Sequence, residues 1–410
     1  LNGKARGLML LSATPMQINP WEPWDLLTVL GVGGLWASEF SWVQDYYRAM
    51  AALKSPDGLV LETEAKKVVA LMAESRPEGG VAIPTGLELM TAVGAARRGL
   101  VKTLRAMSPL TRRMHRNSRK TLREYHRLGM LDHQPPVREV TDVPFEYLED
   151  AEREVYDAVG RYIDARFGAL ERDRPGKGFV MTIYRRRASS SPYALRESLK
   201  RRQEGLVKCQ RRYTADQFLS PAESADELDV DELGGLEGGR VSAGYPTSPG
   251  EAASELAEIG GLLGRLEELG NQDSKRDQFA GLLRGLLDEG RRVLVFSSYT
   301  DTVDYVRGFL KEQYGERVGS YTGRGGDRWD GKNWQRCSKE DITRALTRGE
   351  VQILVCNDAA SEGLNLQAAS AVVNYDLPWN PSRVEQRIGR VDRIGQSQDI
   401  VKVVNLSLIH

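Results

Sequence analysis

Apolar and polar residues along the last third of the chain follow a pattern typical of strands that alternate with helices. The apolar runs with the length of strands are 292–296, 318–321, 351–356, 371–374 and 400–406. The amphipathic runs with helical spacing are 277–289, 301–314 and 339–347. This alternation predicts an α/β fold, with a parallel sheet covered by helices and ligands bound beyond the carboxyl ends of its strands. We therefore expect the chemistry in the loops after Phe296, Cys356 and Asn374.

The earlier part of the chain has a different pattern. An apolar run at 7–11 predicts a short buried strand, which ends in a turn fixed by Pro15. From about residue 40 to residue 200 the apolar spacing is mostly helical. Residues 221–255 combine many acidic residues with Gly, Ser and Pro. Such a segment buries too little apolar surface to offset the entropy lost on ordering, so we interpret it as a mobile acidic linker.

We interpret the last five residues as a non-native tail. Residues 406–410 correspond to a codon series that resembles the end of a transposase sequencing adapter, so we leave them out of the fold prediction as a non-native tail. The working expectation is that the chain is a fragment of a longer protein.

Composition excludes some classes of protein. The 57 basic and 57 acidic residues give a formal net charge of zero, so any nucleic-acid binding must come from local basic patches. No apolar run approaches the length of a membrane span. The three cysteines are far apart in sequence, form no metal-ligand pair and fit a reducing cytoplasm.

The segment 386–396 is the most informative one in the sequence. It places Gln386, Arg387, Arg390 and Arg393 at helical spacing, with glycines between them that allow another surface to approach. Arginine is always charged and presents a planar fork of donors that fits phosphate oxygens. We therefore predict a phosphate-facing surface; the alternative is a solvated basic helix.

Two further segments have candidate binding residues. The loop after Cys356 contains Ser361, Gly363 and Asn365, whose small or neutral polar groups suit a phosphate or a nucleic-acid backbone. The alternative is an ordinary turn in which Asp358 caps a helix. Ser12 and Thr14 end the first strand and either form a simple hydroxyl turn or relay between two lobes. The local sequence does not decide between these last two.

Basic and aromatic residues outside these segments leave further alternatives open. The segment 110–127 includes Arg112 and Arg113 among its seven Lys and Arg residues and either follows a phosphate backbone or forms a solvated helical face. Trp329 and Trp334 lie near a predicted loop, where packing against their own lobe is favoured over stacking on bases.

Five segments in order resemble motifs of superfamily-two nucleic-acid-dependent ATPases of the Swi/Snf class, closest to the bacterial RapA-like branch. Segment 11–17 is similar to motif III, 293–299 to motif IV, 321–323 to the short motif that follows it, 358–367 to motif V and 386–396 to motif VI. The resemblance implies the end of one RecA-like lobe at 1–30, a helical insertion at 31–220, the acidic linker at 221–255 and a second RecA-like lobe at 256–405.

The resemblance also implies a role for each matched position. Arg390 and Arg393 correspond to arginines that reach the γ-phosphate of ATP, and Gln386 begins that motif and organises the cleft. Arg387, Gly363 and Asn365 lie at nucleotide-binding positions, although Asn365 stands where some helicases have an aspartate. The positions implied to contact nucleic acid or to couple it to hydrolysis are Ser12, Thr14, Ser297, Thr322, Ser361, Arg112 and Arg113.

The sequence departs from the family in one respect. It contains no Gly-x-x-x-x-Gly-Lys-Ser/Thr loop and no Asp-Glu-x-His after an apolar strand. These elements hold the phosphates and Mg²⁺, and in the family they precede motif III. We therefore expect ATP and Mg²⁺ to be bound mainly by a first lobe outside this sequence, and the chain to lack ATPase activity by itself.

The function that the resemblance implies is that of an ATP-driven motor. The expected activity is translocation on double-stranded DNA with displacement or remodelling of bound proteins, RNA polymerase among the candidates, in the bacterial cytoplasm. The alternatives are a strand-separating DNA or RNA helicase and a non-catalytic DNA-binding or docking module. The sequence gives no indication of the oligomeric state, the polarity of movement or the biological client.

Overall fold

The computed structural model describes residues 21–75, 82–113, 119–145, 147, 149–173, 180–215, 244–246, 248–358, 364–378 and 380–408. The chain divides into two compact units, Leu1–Glu124 and Tyr125–His410. The strand predicted at 7–11 and residues 221–243 of the predicted acidic linker lie outside the described residues.

The first unit is helical wherever it is described. Its helices are α1 (Trp21–Val29), α2 (Leu35–Ser38), α3 (Phe40–Lys54), α4 (Glu62–Glu74), α5 (Gly86–Thr91), α6 (Gly94–Met107) and α7 (Pro109–Arg113); helix α8 (Arg119–Arg127) crosses the boundary to the second unit. Apolar residues of α3, α4 and α6, such as Val68, Leu71 and Leu104, are fully buried in one core. The helical spacing predicted for this part of the chain is confirmed.

The second unit contains an eight-stranded sheet. Its strands are β1 (Val137–Phe145), β2 (Val293–Ser297), β3 (Val318–Thr322), β4 (Gly325–Trp329), β5 (Trp334–Cys337), β6 (Ile353–Asn357), β7 (Ala371–Asn374) and β8 (Ile400–Leu408). Their spatial order is β1-β8-β7-β2-β6-β3-β4-β5. All neighbouring pairs from β1 to β3 are parallel, and β4 and β5 extend the sheet as an antiparallel hairpin. The predicted α/β class with a parallel sheet is confirmed.

Helices cover both faces of this sheet. They are α13 (Ser274–Asp288), α14 (Thr300–Tyr314), α15 (Lys339–Arg348) and α16 (Pro381–Ile388). Side chains of β2 alternate between the two faces, so Val293 and Val295 join the core under α13 and α14, while Leu294 and Phe296 join the core under α15. Burial on both faces explains why the strands read as continuous apolar runs rather than as alternating ones.

Four long helices of the second unit form a bundle with its own core. They are α9 (Asp150–Asp173), α10 (Val180–Ser190), α11 (Pro192–Ala215) and α12 (Pro249–Glu268). Inside it, Arg202 and Glu255 are both 1% exposed and form an ion pair, and the Tyr162 hydroxyl donates to the same carboxylate at 2.8 Å. Helix α12 begins at Pro249, so the end of the predicted linker is helical.

The structure differs from the sequence-based expectations at the two edges of the sheet. Within the stretch 40–200, which we expected to be mostly helical, residues 137–145 form the edge strand β1, in parallel register with β8. We also expected a loop around Trp329 and Trp334. These residues are instead cross-strand partners in the β4–β5 hairpin, with ring centroids 5.4 Å apart. Lys311 Nζ lies 4.4 Å from the Trp329 ring, so at this indole packing within the lobe replaces exposure to bases.

One further expectation, that of a single arginine helix, was wrong in detail. The arginine segment is not one helix, because α16 ends at Ile388 and residues 389–396 form turns. Residues 406–408, which we had left out as a tail, continue β8 as far as Leu408 opposite Phe145.

The buried face of α13 provides a test of this core. Phe279 is fully buried and its ring lies 5.2 Å from that of Tyr375, edge to face. Phe279→Ala is expected to lower the free energy of unfolding by about 3–5 kcal/mol, because it leaves a cavity between helix and sheet. Urea titration followed by circular dichroism measures this change.

The matched control for Phe279→Ala is Arg284→Ala on the exposed side of the same helix. Its effect should stay within about 0.5 kcal/mol. Equal effects of the two changes would contradict the assigned core.

Candidate functional site

Three loops at the carboxyl ends of neighbouring strands meet at one side chain, Arg387. Strand β2 lies between β6 and β7, so the residues that follow these strands are brought close together. Ser298 follows β2, Asp358 follows β6 and Asp376 follows β7. All three loops contact Arg387 from helix α16. These are the loops after Phe296, Cys356 and Asn374 in which the sequence analysis expected the chemistry.

The guanidinium of Arg387 is fully buried and forms a dense set of hydrogen bonds. Nε and Nη2 donate to the two carboxylate oxygens of Asp358 at 2.6 and 2.8 Å, a bidentate pair. Nη1 donates to Asn374 Oδ1 at 3.1 Å and to the Asp376 carbonyl at 2.7 Å, and Nη2 to Ser298 Oγ at 3.2 Å. Its side chain is 0% exposed, so a direct contact with a cofactor, which we had predicted, does not fit this geometry. Arg387 instead joins the loop ends to one another.

The arginines that follow lie in a turn rather than in a helix. We call residues 389–396 the arginine turn. Its backbone is closed by successive short-range hydrogen bonds, including Asp392 N to Ile388 O at 2.9 Å and Val391 N to Ile388 O at 3.1 Å. Arg393 is exposed, with Nε donating to the Gly389 carbonyl at 2.8 Å, and Arg390 is half-buried. The turn therefore presents Arg393 at the surface and Arg390, three residues earlier, in a half-buried position.

Gln396 fixes the far end of the arginine turn. Its buried side-chain amide lies 3.1 Å from the Gln367 carbonyl, and 2.9 Å from the carbonyls of Ala369 and Val391. In the opposite direction, Gln367 Nε2 donates to the Ile394 carbonyl at 2.9 Å. These two glutamines tie the arginine turn to the segment after the predicted phosphate loop, so the two predicted motifs form one local structure.

Asp376 is the centre of a second polar cluster on the same edge of the sheet. Its Oδ1 accepts from Lys275 Nζ at 3.0 Å, and its Oδ2 accepts from Ser190 Oγ at 2.9 Å and also from the Ser297 hydroxyl. Lys275 Nζ lies 4.5 Å from the Tyr375 ring centroid and also donates to the Ser189 carbonyl at 2.8 Å. This cluster joins the junction of α10 and α11 to β2, β7 and α13, with its charges paired and buried.

The same bundle is attached to the lobe a second time, at the start of α14. Asp301 accepts from Arg187 at 2.9 Å and from Arg201 at 2.6 Å. Tyr193 of α11 stacks on Tyr305 of α14, with centroids 5.7 Å apart and ring planes 9° apart. The bundle and the sheet are therefore connected at the carboxyl end of β2.

The structure places the remaining predicted residues as follows. Ser297 and Thr322 are buried, and each accepts a nearby backbone N–H, from Tyr299 at 3.2 Å and from Arg324 at 3.2 Å. Asn365 is exposed, with Oδ1 3.3 Å from Gln367 N, and Gln386 is half-buried on α16. Arg113 is exposed and donates to the Leu30 carbonyl at 3.0 Å. The residues whose side chains lie outside the described part are Ser12, Thr14, Ser361, Gly363 and Arg112.

Several residues of this site were not identified from the sequence. Asp358 was considered only as a helix cap, and Asn374 only as the end of a strand. Gln396 was recognised as part of a motif but without a role for its amide. The available signal was a polar residue directly after each apolar run, which marks the strand ends but not their partner.

Electrostatics exclude one nucleophile near the site. Burial raises the pKa of the Cys356 thiol to about 12, so that it stays protonated at neutral pH.

In the described part of the chain, no group of three or more His, Cys, Asp or Glu side chains is placed to hold a metal ion. Of the helices described, none has both the length and the apolar character needed to cross a bilayer.

Comparisons with known proteins show what part of the second unit is similar to. The family model described as the helicase conserved C-terminal domain matches residues 274–395. The chain is 36% identical over 149 residues to an uncharacterized ATP-dependent helicase, YqhH, of Bacillus subtilis, a match covering 36% of this chain and 24% of that protein. It is 34% identical over 139 residues to the RNA polymerase-associated protein RapA of Vibrio parahaemolyticus, covering 33% of this chain and 14% of that protein.

A solved structure also resembles the chain. The SWI2/SNF2 ATPase core of Sulfolobus solfataricus in complex with double-stranded DNA gives a TM-score of 0.38 at 15% identity, covering 78% of this chain and 48% of that one. The matched regions make up a quarter or less of the length of the two curated relatives. The RecA-like assignment of the second lobe is confirmed by the family match and the observed sheet.

Two arginines of the site provide a contrast in stability. Arg387→Ala is expected to lower the free energy of unfolding by about 3–5 kcal/mol, because it removes one partner of a buried ion pair and leaves Asp358 without its bidentate donor. Arg393→Ala, at an exposed position in the same segment, should change it by less than about 0.5 kcal/mol. Denaturant titration of both variants measures the difference; a stable Arg387→Ala protein would show that the buried pair is dispensable.

Proposed function

From the membership of residues 274–395 in the helicase conserved C-terminal domain family, we propose that the chain is the C-terminal part of an ATP-dependent motor that moves on double-stranded DNA. The class is that of superfamily-two Swi/Snf proteins, in the RapA-like branch. In this proposal, the motor displaces or remodels proteins bound to the DNA. RNA polymerase is one candidate client, because RapA is described as RNA polymerase-associated. The proposed location is the bacterial cytoplasm.

The observation that carries the proposal is the arginine turn. A docking module has no need for a rigidly held turn with an exposed arginine. Here Gln396 and Arg387 fix the two ends of the segment, and Arg393 remains exposed between them. Guanidinium groups held in this way suit the charge that develops on a transferring phosphoryl group. Arg390 and Arg393 are therefore the proposed contacts to the γ-phosphate of ATP, with Gln386 beside them.

ATP and Mg²⁺ fit this site only as ligands shared with a first lobe. The arginine turn offers donors for phosphate oxygens, but among the described residues no group of three or more His, Cys, Asp or Glu side chains is placed to hold a metal ion. The sequence of this chain contains no glycine-rich phosphate loop with its lysine. In the proposal, a first lobe supplies that loop and the carboxylates, and Arg390 and Arg393 complete the site when the two lobes close.

We propose that residues in the loops that follow the strands of the sheet couple nucleic-acid binding to hydrolysis. The basic segment 110–127 is proposed as a further contact to nucleic acid. Ser297, Thr322, Ser361, Ser12 and Thr14 are the proposed coupling positions, and Arg112 and Arg113 are proposed to meet the DNA backbone. Arg113 is exposed, as this role requires. Ser297 and Thr322 are both buried; Ser297 donates to Asp376 after β7, and Thr322 accepts from Arg324 in its own turn. Their proposed role is therefore to hold loop geometry rather than to touch DNA.

Hydrolysis by the full-length protein tests the assignment of the two arginines. Arg390→Ala and Arg393→Ala are each expected to lower kcat by about 10³–10⁵-fold, because each removes a donor used in the transition state. A coupled assay of ATP hydrolysis, with and without duplex DNA, measures this loss. The chain of residues 1–410 alone should show no hydrolysis above background.

The control for the arginine variants is Arg344→Ala on α15, whose guanidinium is exposed and pairs with Asp341 of the same helix at 3.1 Å. It should retain the wild-type rate. Wild-type hydrolysis in both arginine variants would refute the proposed γ-phosphate contacts.

A comparison of two DNA substrates separates translocation from strand separation. The full-length protein should displace a triplex-forming strand from duplex DNA in an ATP-dependent manner and should leave a forked duplex unseparated. Binding should weaken steeply between about 50 and 200 mM salt, because phosphate contacts release counterions. Efficient unwinding of the fork would favour the helicase alternative, and salt-insensitive binding without hydrolysis would favour a docking module.

A further inference from the structure

Strand β1 holds an arginine against the arginine turn. Arg138 is the second residue of β1 and lies opposite Val401 in the register with β8. Its Nη1 donates to Glu385 Oε2 at 2.7 Å, and its Nε donates to the Asp392 carboxylate. Glu385 lies beside Gln386 on α16, and Asp392 lies between Arg390 and Arg393. Arg138 therefore bridges the two sides of the segment that presents the proposed γ-phosphate contacts.

Burial indicates which of these two contacts matters more. The Asp392 side chain is 6% exposed and that of Arg138 is 25% exposed, whereas Glu385 is 63% exposed. A charge pair with one nearly buried carboxylate is screened much less by water and salt than a surface pair. The Arg138–Asp392 contact is therefore the stronger constraint, and it acts on the residue next to Arg393.

A second connection runs from β1 to the same segment. Asp142, Asn405 and Asn374 lie side by side in the registers of β1, β8 and β7. Asn405 donates to Asp142 and Asn374 donates to Asn405, each at 2.7 Å. Asn374 Oδ1 then accepts from Arg387 Nη1 at 3.1 Å. The edge strand thus reaches both the base of the arginine turn, through the asparagines, and its middle, through Arg138.

We propose that Arg138 is a positioning residue for the arginine turn: by bridging Glu385 and Asp392 it holds Arg390 and Arg393 in the orientation that the phosphate requires. The catalytic consequence rests on the proposed function, but the effect on the turn itself does not. Since Arg138 touches neither nucleotide nor DNA in this scheme, its loss acts on the rate of the chemical step and not on the affinity for ATP.

The neighbouring strand offers a matched control. Lys402 of β8 is 27% exposed and pairs with Glu289 at 2.6 Å. It resembles Arg138 in exposure, in charge and in forming an ion pair from the same sheet, but its partner lies at the end of α13. Arg138→Met and Lys402→Met each remove a positive charge and keep an apolar stem, so they differ mainly in which segment loses its contact.

The first measurement uses the chain of residues 1–410 without nucleotide. Hydrogen–deuterium exchange is followed at the amides of the arginine turn, with β2 and β7 as the folding reference. Arg138→Met should speed exchange in the turn by roughly fivefold to thirtyfold, whereas Lys402→Met should leave it unchanged. Equal exchange in wild type and Arg138→Met would overturn the proposal.

The second measurement uses the full-length protein. Arg138→Met should lower kcat for ATP hydrolysis by a similar factor and leave KM for ATP within about twofold, which is the pattern of a contact needed only in the transition state. Arg138→Lys keeps the charge but not the fork, so it should fall between wild type and Arg138→Met. A raised KM with unchanged kcat would overturn the positioning role.

Two results of these measurements are interpreted by comparison with a second variant. If Arg138→Met also loses protection in β2 and β7, the decision passes to Arg138→Lys, which must loosen the arginine turn alone for the proposal to stand. If the turn loosens as expected but Arg390→Ala hydrolyses ATP normally, the positioning role holds for the turn, and the proposed function is what fails.

Discussion

The ion pair between the fully buried Arg387 and the largely buried Asp358 is the interaction on which the functional edge of the second unit depends. A guanidinium without exposed surface must have partners for its donors, and here these partners come from the ends of β2, β6 and β7. Because each strand end contributes at least one acceptor, the three loops cannot shift independently. The arginine turn begins two residues after Arg387. The sheet therefore fixes the position at which the turn starts.

This dependence divides the arginines of the segment into two kinds. Arg387 uses its charge within the lobe, whereas Arg393 lies at the surface and donates to the Gly389 carbonyl of the same turn. The pattern of spacing in the sequence makes the three arginines look equivalent. Their difference comes from the point where α16 ends, since Arg387 is on the inner side of the helix and the next arginines lie beyond its last turn.

The sequence predicted the core of the second unit well, because its strands are buried on both faces and read as uninterrupted apolar runs. It also indicated the loops that contact Arg387, because parallel strands bind ligands beyond their carboxyl ends. It missed β1, whose residues Val137–Phe145 alternate charged, polar and apolar positions without a buried face. An edge strand of this kind is defined by its neighbour, and Arg138 and Asp142 gain their partners only through pairing with β8. The hairpin of β4 and β5 was missed because its two tryptophans are supported by Lys311 and Arg307 of α14, which no local pattern indicates.

The pairing of β1 with β8 also has a consequence for how the molecule is made. Asp142 and Asn405, which face each other in this pairing, are 263 residues apart in the chain. On the ribosome, β1 emerges long before its only strand neighbour in the described sheet has been translated. Contacts so distant in sequence form slowly, while β2, β3, β6 and β7 lie much closer together and assemble around local helices. The edge strand is therefore expected to dock late, and a nascent chain holds an unpaired, highly charged segment until the final strand leaves the exit tunnel.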